Sequence, residues 1–123
     1  MKNLIKNTVL VVSLVVAGGA VAGDRPSHFK GHAAPDLNTA VAHFSEYNNR
    51  LEKLLAGELT DADIAIVHEL TYTLENALEK INADFDELAE TLEKVHVASE
   101  TANRDILQKA GSVYLSTART VIK

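Results

Sequence analysis

The sequence predicts an all-α protein: a helical bundle in which a long central helix, over about residues 61–101, is flanked by two shorter helices. Two observations lead to this fold class. From Asp36 onward the chain has no proline and only two glycines, Gly57 and Gly111, a composition typical of helices. Mostly apolar residues then recur from Ile64 to Val95 at regular steps of three and four, the heptad pattern of a packed helix.

The first helix is predicted from Asp36 to Ala56. Pro35 suits its first turn, and Gly57 suits its end. His43 projects away from the apolar stripe of this helix and is predicted to be solvated. The stripe consists of residues at helical spacing: Leu37, Val41, Phe44, Leu51 and Leu55.

The second helix begins after Thr60, a good N-cap that is followed by acidic residues in the first turn. Its seam places Ile64 at heptad position a and Val67 at position d. Two interpretations remain open. One is a continuous helix from Asp61 to about Thr101, about 60 Å long at 1.5 Å per residue. The other is a turn at residues 82–84, which gives a monomeric up-down four-helix bundle.

The third helix is predicted after Asn103, its candidate N-cap, with a stripe of Leu107, Ala110, Tyr114, Ala118 and Val121. The first and third helices are each about half as long as the second. We therefore expect each to cover one half of a continuous central helix, which leaves part of its apolar seam open. Two chains with antiparallel central helices would close that seam, so the continuous interpretation predicts a homodimer with its axis near Asn82.

The N-terminus predicts export. Lys2 and Lys6 precede a short apolar run, and Ala20-Val21-Ala22 forms a small-x-small cleavage site, which together are typical of a signal peptide over residues 1–22. Residues 23–35 contain both prolines of the chain and no periodicity, and they are predicted to form an extended arm. Residues 36–123 are predicted to form a single helical domain.

Net charge and composition limit the classes of molecule that the protein is expected to bind. Loss of Lys2 and Lys6 would change the formal net charge from −5 to −7, which disfavours nucleic acid and anionic lipid. The chain has no cysteine, so it forms no disulfide and offers no thiolate to a metal. We expect a periplasmic or secreted protein, with no membrane insertion after signal cleavage.

The candidate site residues lie beside the central seam. His68 and His96 both occupy e positions, 14 residues on either side of Asn82. If the second helix folds back at Asn82, or pairs antiparallel about Asn82 with that of a second chain, the two histidines come level. They could then act as ligands for haem iron or a divalent transition metal. The more ordinary interpretation is that no cofactor is bound. In that case His68, Tyr72 and Glu75 form a polar network that fixes helix register.

Catalytic motifs are not found. His68-Glu69-Leu70-Thr71-Tyr72 begins like the zinc-protease helix, but Tyr72 stands where that motif needs its second histidine. The sequence therefore predicts a protein that is not an enzyme and has no catalytic residue. We expect it to act by self-association or by binding another periplasmic protein.

The motifs "HFKG", "VHELTYTLENAL" and "VHVASE" resemble those of a family of small exported proteobacterial proteins of unknown function. The resemblance covers nearly all of the chain after the signal peptide. It implies a short secreted helical protein and assigns no role to any residue. In size and export alone, the chain is also similar to the periplasmic b-type cytochromes with four-helix bundles.

Overall fold

The computed structural model describes residues 29–122, which form three α-helices: α1 (Leu37–Leu55), α2 (Asp61–Glu100) and α3 (Arg104–Val121). No strand occurs within these residues. The signal peptide predicted at residues 1–22 lies outside the described part of the chain. Between residues 29 and 122, no helix combines the length and the apolar character needed to cross a membrane.

The central helix α2 is continuous over 40 residues. This confirms the long-helix interpretation, and the alternative turn at residues 82–84 is wrong. The physical reason is that the helical phase of the apolar residues is kept through this stretch. Asp84 also stays helical and accepts a hydrogen bond from Lys80 Nζ, one turn earlier, at 2.8 Å. That hydrogen bond raises the pKa of the Lys80 ammonium.

Each helix starts at a side-chain cap. Thr60 and Asp63 form a capping box: Asp63 N donates to Thr60 Oγ1 at 3.2 Å, and Thr60 N donates to Asp63 Oδ2 at 3.0 Å. Asn103 caps α3, as predicted, by accepting from the amide of Ile106. Asp36 caps α1 by accepting from the amide of Thr39 at 2.8 Å, which places Pro35 before the cap and not in the first turn.

The two shorter helices lie end to end along α2. Phe44 and Tyr47 of α1 pack against Leu70 and Leu74 in the first half of α2. α3 packs antiparallel against the second half and touches α1 only at the middle of the molecule. There the start of α1, the end of α3 and α2 border a hollow of about 390 Å³, which we call the central hollow. The described chain is therefore a rod that is two helices thick.

The core of this rod is small. Of the seven buried apolar residues, four are alanines: Ala40, Ala77, Ala98 and Ala118. The others, Tyr47, Leu70 and Leu74, form a single cluster between α1 and the first half of α2. Because alanines bring helices close together but bury little area, many large apolar side chains remain at the surface.

Residues 29–35, which we call the arm, run in an extended path across the first half of α2. Thr73 Oγ1 accepts from the amide of His32 at 3.0 Å, and Asn76 Nδ2 donates to the carbonyls of Lys30 at 2.9 Å and His32 at 3.0 Å. Gly31 has a φ of +69°, and a Cβ there would lie 2.7 Å from Thr73 N. The arm is thus held by its backbone, at a position that only glycine fits.

Candidate functional site

Helix α2 buries its g and d positions, and therefore only part of the predicted a/d seam. Its buried residues Leu70, Ala77 and Ala98 occupy g positions, and Leu74 occupies a d position. The a positions lie to one side of this contact. Ile64, Leu78, Phe85 and Leu92 leave 55%, 42%, 42% and 45% of their surface exposed. The d positions therefore face α1 and α3 as predicted, whereas the apolar a positions are left at the surface.

The a and e positions of α2 from Ile64 to Ser99 together form one strip, which we call the uncovered face. Its e positions are His68, Glu75, Asn82, Ala89 and His96. Between residues 64 and 99 the uncovered face carries one carboxylate or ammonium group, whereas the b, c and f positions carry eight. Depletion of charge around large apolar residues is the compositional mark of an interface core.

The uncovered face lies opposite the central hollow. Val113 and Asp84 line that hollow, as do Pro35 and Asp36 at the end of the arm. At about 100° per residue, Leu115 is turned about 160° around α3 from Val113, and Phe85 about 100° around α2 from Asp84. Leu115 and Phe85 therefore point away from the hollow, which neither of them lines. Ile122, seven residues after Leu115, extends the apolar surface there and is also exposed.

The second half of the uncovered face carries a shallow hollow that is open to solvent. It measures about 550 Å³ and is lined by side chains of α2 alone: Ala89, Leu92, Glu93, Val95, His96 and Ser99. Leu92 and His96 stand one turn apart on its wall. An apolar hollow beside exposed leucine and phenylalanine side chains offers a shaped surface to a second helix.

His68 and Tyr72 contact each other within one helix. Tyr72 Oη lies 3.3 Å from His68 Nε2, and the two rings meet edge to face at 5.2 Å between centres. The ring of Phe29, in the arm, also contacts the Tyr72 ring edge to face, with centres 6.0 Å apart. Glu75 is exposed on the next turn of α2. His68 and Glu75 are therefore exposed, whereas Tyr72 is half-buried against the arm.

His96 lies far from His68. It is exposed, and its Nε2 is 3.4 Å from Glu100 Oε1. Along a continuous helix the 28 residues between the two histidines span about 42 Å. The two imidazoles of one chain therefore cannot coordinate the same metal ion or haem iron. In the described part of the chain, no three histidine, cysteine or acidic residues are grouped closely enough to hold a metal ion.

The prediction that His43 is solvated is wrong. Its ring packs against the rings of His32 and Tyr47, with centres 5.8 and 6.1 Å apart, and its Nδ1 is buried. The reason is that the arm crosses this side of α1, and periodicity within α1 could not predict the path of the arm. Thr73 and Asn76, which hold the arm, were missed for the same reason.

The fold and its surface define the class of this molecule: an all-α protein built around one long helix, whose main functional candidate is an apolar face. A family model described as a family of unknown function (DUF6746) matches residues 1–123, and the chain belongs to that family. This confirms the expected membership in a family of unknown function. No curated protein and no solved structure matches the chain.

Proposed function

We propose that this protein is an exported, non-enzymatic helical protein that acts as a homodimer joined through the uncovered face. The observation that carries the proposal is the row of exposed residues at heptad spacing, Ile64, Leu78, Phe85 and Leu92, on a strip with almost no charge. Such a row is the pattern by which one helix packs against another. Export and the lack of catalysis rest on the N-terminal sequence and on the motifs discussed above.

The spacing of these residues supports a two-fold axis near Asn82. Leu78 and Phe85 lie almost symmetrically about it, so Leu78 of one chain would meet Phe85 of the other. The first half of α2, which α1 covers, would then pack against the second half of α2 of the other copy, which α3 of that copy covers. Each end of the dimer would have a four-helix cross-section, and the hollow lined by Leu92 and His96 would be covered.

Cysteine pairing tests both the dimer and its register. Because the chain has no cysteine, a His68→Cys/His96→Cys variant introduces the only two thiols. They lie about 42 Å apart in one chain, so any disulfide must join two chains. We expect a dimer on a non-reducing gel after mild oxidation.

A matched control shifts the register by one heptad. In a His68→Cys/Ala89→Cys variant, both cysteines again lie at e positions of the uncovered face. They would be about 10 Å out of register across the proposed axis, which is too far for a disulfide. Equal crosslinking of both variants would refute the proposed register. No crosslinking of either variant, together with capture of a different protein on this face, would assign it to a foreign partner.

A second candidate function is the binding of haem or a divalent transition metal by His68 and His96. It is favoured by one observation: the proposed axis would place His68 of one chain level with His96 of the other, both at e positions. The visible spectrum and metal content of the purified protein test it. A Soret band, or a stoichiometric metal that is lost in His68→Ala, would support this candidate. A colourless, metal-free protein would exclude it.

A further inference from the structure

Three rings meet where the arm crosses α1. The centres of the His32 and His43 rings are 5.8 Å apart, and the Tyr47 ring lies 5.9 Å from the first and 6.1 Å from the second. His43 Nδ1 is buried and has no hydrogen-bond partner among the described residues. The two imidazoles are brought together from positions 11 residues apart, one on the arm and one on a helix.

This juxtaposition is fixed by backbone contacts on both sides of His32. Its amide donates to Thr73 Oγ1, and its carbonyl accepts from Asn76 Nδ2. Gly31 fits against the backbone of α2, where any Cβ would clash. Within the described residues the His32 side chain makes no hydrogen bond, and it lies at the surface, so a small ligand can reach it.

We propose that His32 and His43 form a binding site for one borderline transition-metal ion, such as Zn²⁺ or Cu²⁺, with water completing the coordination. Imidazole nitrogen is a preferred ligand of these ions. A Zn–N bond of 2.0–2.1 Å places each ring centre about 3.2 Å from the metal, so two tetrahedral imidazoles stand about 5.2 Å apart. The observed 5.8 Å is close to that separation.

The surroundings limit the metal to a site of two protein ligands. Tyr47 contributes its ring and closes one side, and the Arg50 guanidinium lies 4.6 Å from the centre of that ring. A bound metal would crosslink the arm to α1. The site lies on the side of the rod away from the uncovered face and does not depend on the proposed dimer.

Calorimetric titration of the purified protein with ZnCl₂ at neutral pH tests the site. We expect one Zn²⁺ per chain, with affinity reduced at least tenfold in His32→Ala and in His43→Gln. The His68→Ala/His96→Ala double variant removes the other pair of imidazoles considered above, so it separates the two candidate metal sites. A Zn²⁺ affinity equal to that of the wild type would assign the ion to His32 and His43. His32 is exposed, so His32→Ala keeps the test decisive if His43→Gln disturbs folding.

A third variant separates this pair from either imidazole alone. Gly31→Ala keeps both histidines but forces the arm off α2, so it should also lose at least tenfold in affinity. Unchanged Zn²⁺ binding in Gly31→Ala would show that the pair is not needed and would overturn the proposal. The same conclusion follows if only the His68→Ala/His96→Ala variant loses binding. The proposal is also overturned if His28→Ala, which removes the histidine of the "HFKG" motif, abolishes Zn²⁺ binding while His43→Gln binds Zn²⁺ normally.

Discussion

Replacing Phe85 by aspartate is the most direct perturbation of the uncovered face. Phe85 leaves 42% of its surface exposed in the described chain and lies close to the proposed two-fold axis. Full burial of a phenylalanine contributes about 1.5–3 kcal/mol, so covering the remaining fraction contributes about 0.6–1.3 kcal/mol in each copy. Phe85→Asp removes this contribution twice.

The substitution also places two carboxylates in the interface, near each other and away from water. Desolvation of each unpaired carboxylate costs several kcal/mol, which is the larger of the two effects. A total loss of at least about 4 kcal/mol corresponds to a dissociation constant raised roughly 10³-fold. We therefore expect Phe85→Asp to be monomeric at concentrations where the wild type is a dimer.

Sedimentation equilibrium over a range of micromolar concentrations measures this change, and circular dichroism shows whether the helices remain. Ala83→Asp is the matched control, because it adds the same charge to α2 on an exposed surface about 160° away from Phe85. It should leave the dimer intact. A wild type that sediments as a monomer at tens of micromolar would refute the reasoning, as would a Phe85→Asp variant that remains dimeric.

Three further predictions concern the fold and the N-terminus. Leu70→Ala should lower the free energy of unfolding by about 2–5 kcal/mol in urea, and Leu115→Ala, at an exposed site, by less than half as much; equal losses would contradict the observed core. The capping hydrogen bonds from Thr60 lower the pKa of Asp63, so its contribution to stability is complete above the ordinary pKa of 3.8 and is lost as the pH falls through the lowered value. The thermal midpoints of the wild type and Asp63→Asn should then differ equally at pH 7 and pH 5 and converge in stronger acid; convergence by pH 5 would be inconsistent with this pKa. The intact mass of the exported protein should equal that of a chain that begins at Gly23. A membrane-bound chain that retains residues 1–22 would show that the signal peptide is not cleaved.

The helices could be predicted from the sequence because their ends are set by local chemistry. Free backbone amides at the helix starts are hydrogen-bonded by Thr60, in its capping box with Asp63, and by Asn103. Such N-capping residues can be recognised from the local sequence without tertiary context. The continuity of α2 could be predicted for a related reason, since the periodicity of its apolar residues has no break. Both properties depend only on neighbours within a turn or two of the chain.

The arm could not be predicted in the same way. Its path depends on Gly31 fitting against the backbone of α2 and on side chains of Thr73 and Asn76, more than 40 residues away in sequence. A threonine and an asparagine on a helix give no signal that they hold a distant segment. The environment of His43 depends on the arm, so the burial of its imidazole could not be predicted either.

The face that α2 buries shows why the hydrophobic pattern alone did not predict that the g positions are buried and the a positions exposed. Close packing of α2 against α1 and α3 uses small side chains such as Ala77 and Ala98, which a hydrophobic pattern ranks low. The larger Leu78, Phe85 and Leu92 lie beside that contact and remain exposed. A heptad pattern does not distinguish the helices against which its apolar residues pack. Helix α2 has apolar residues for two packing surfaces, and within the described chain α1 and α3 cover one of them. The placement of small residues inside and large residues outside therefore supports a second copy on the uncovered face, since burying these large side chains would stabilise the assembly.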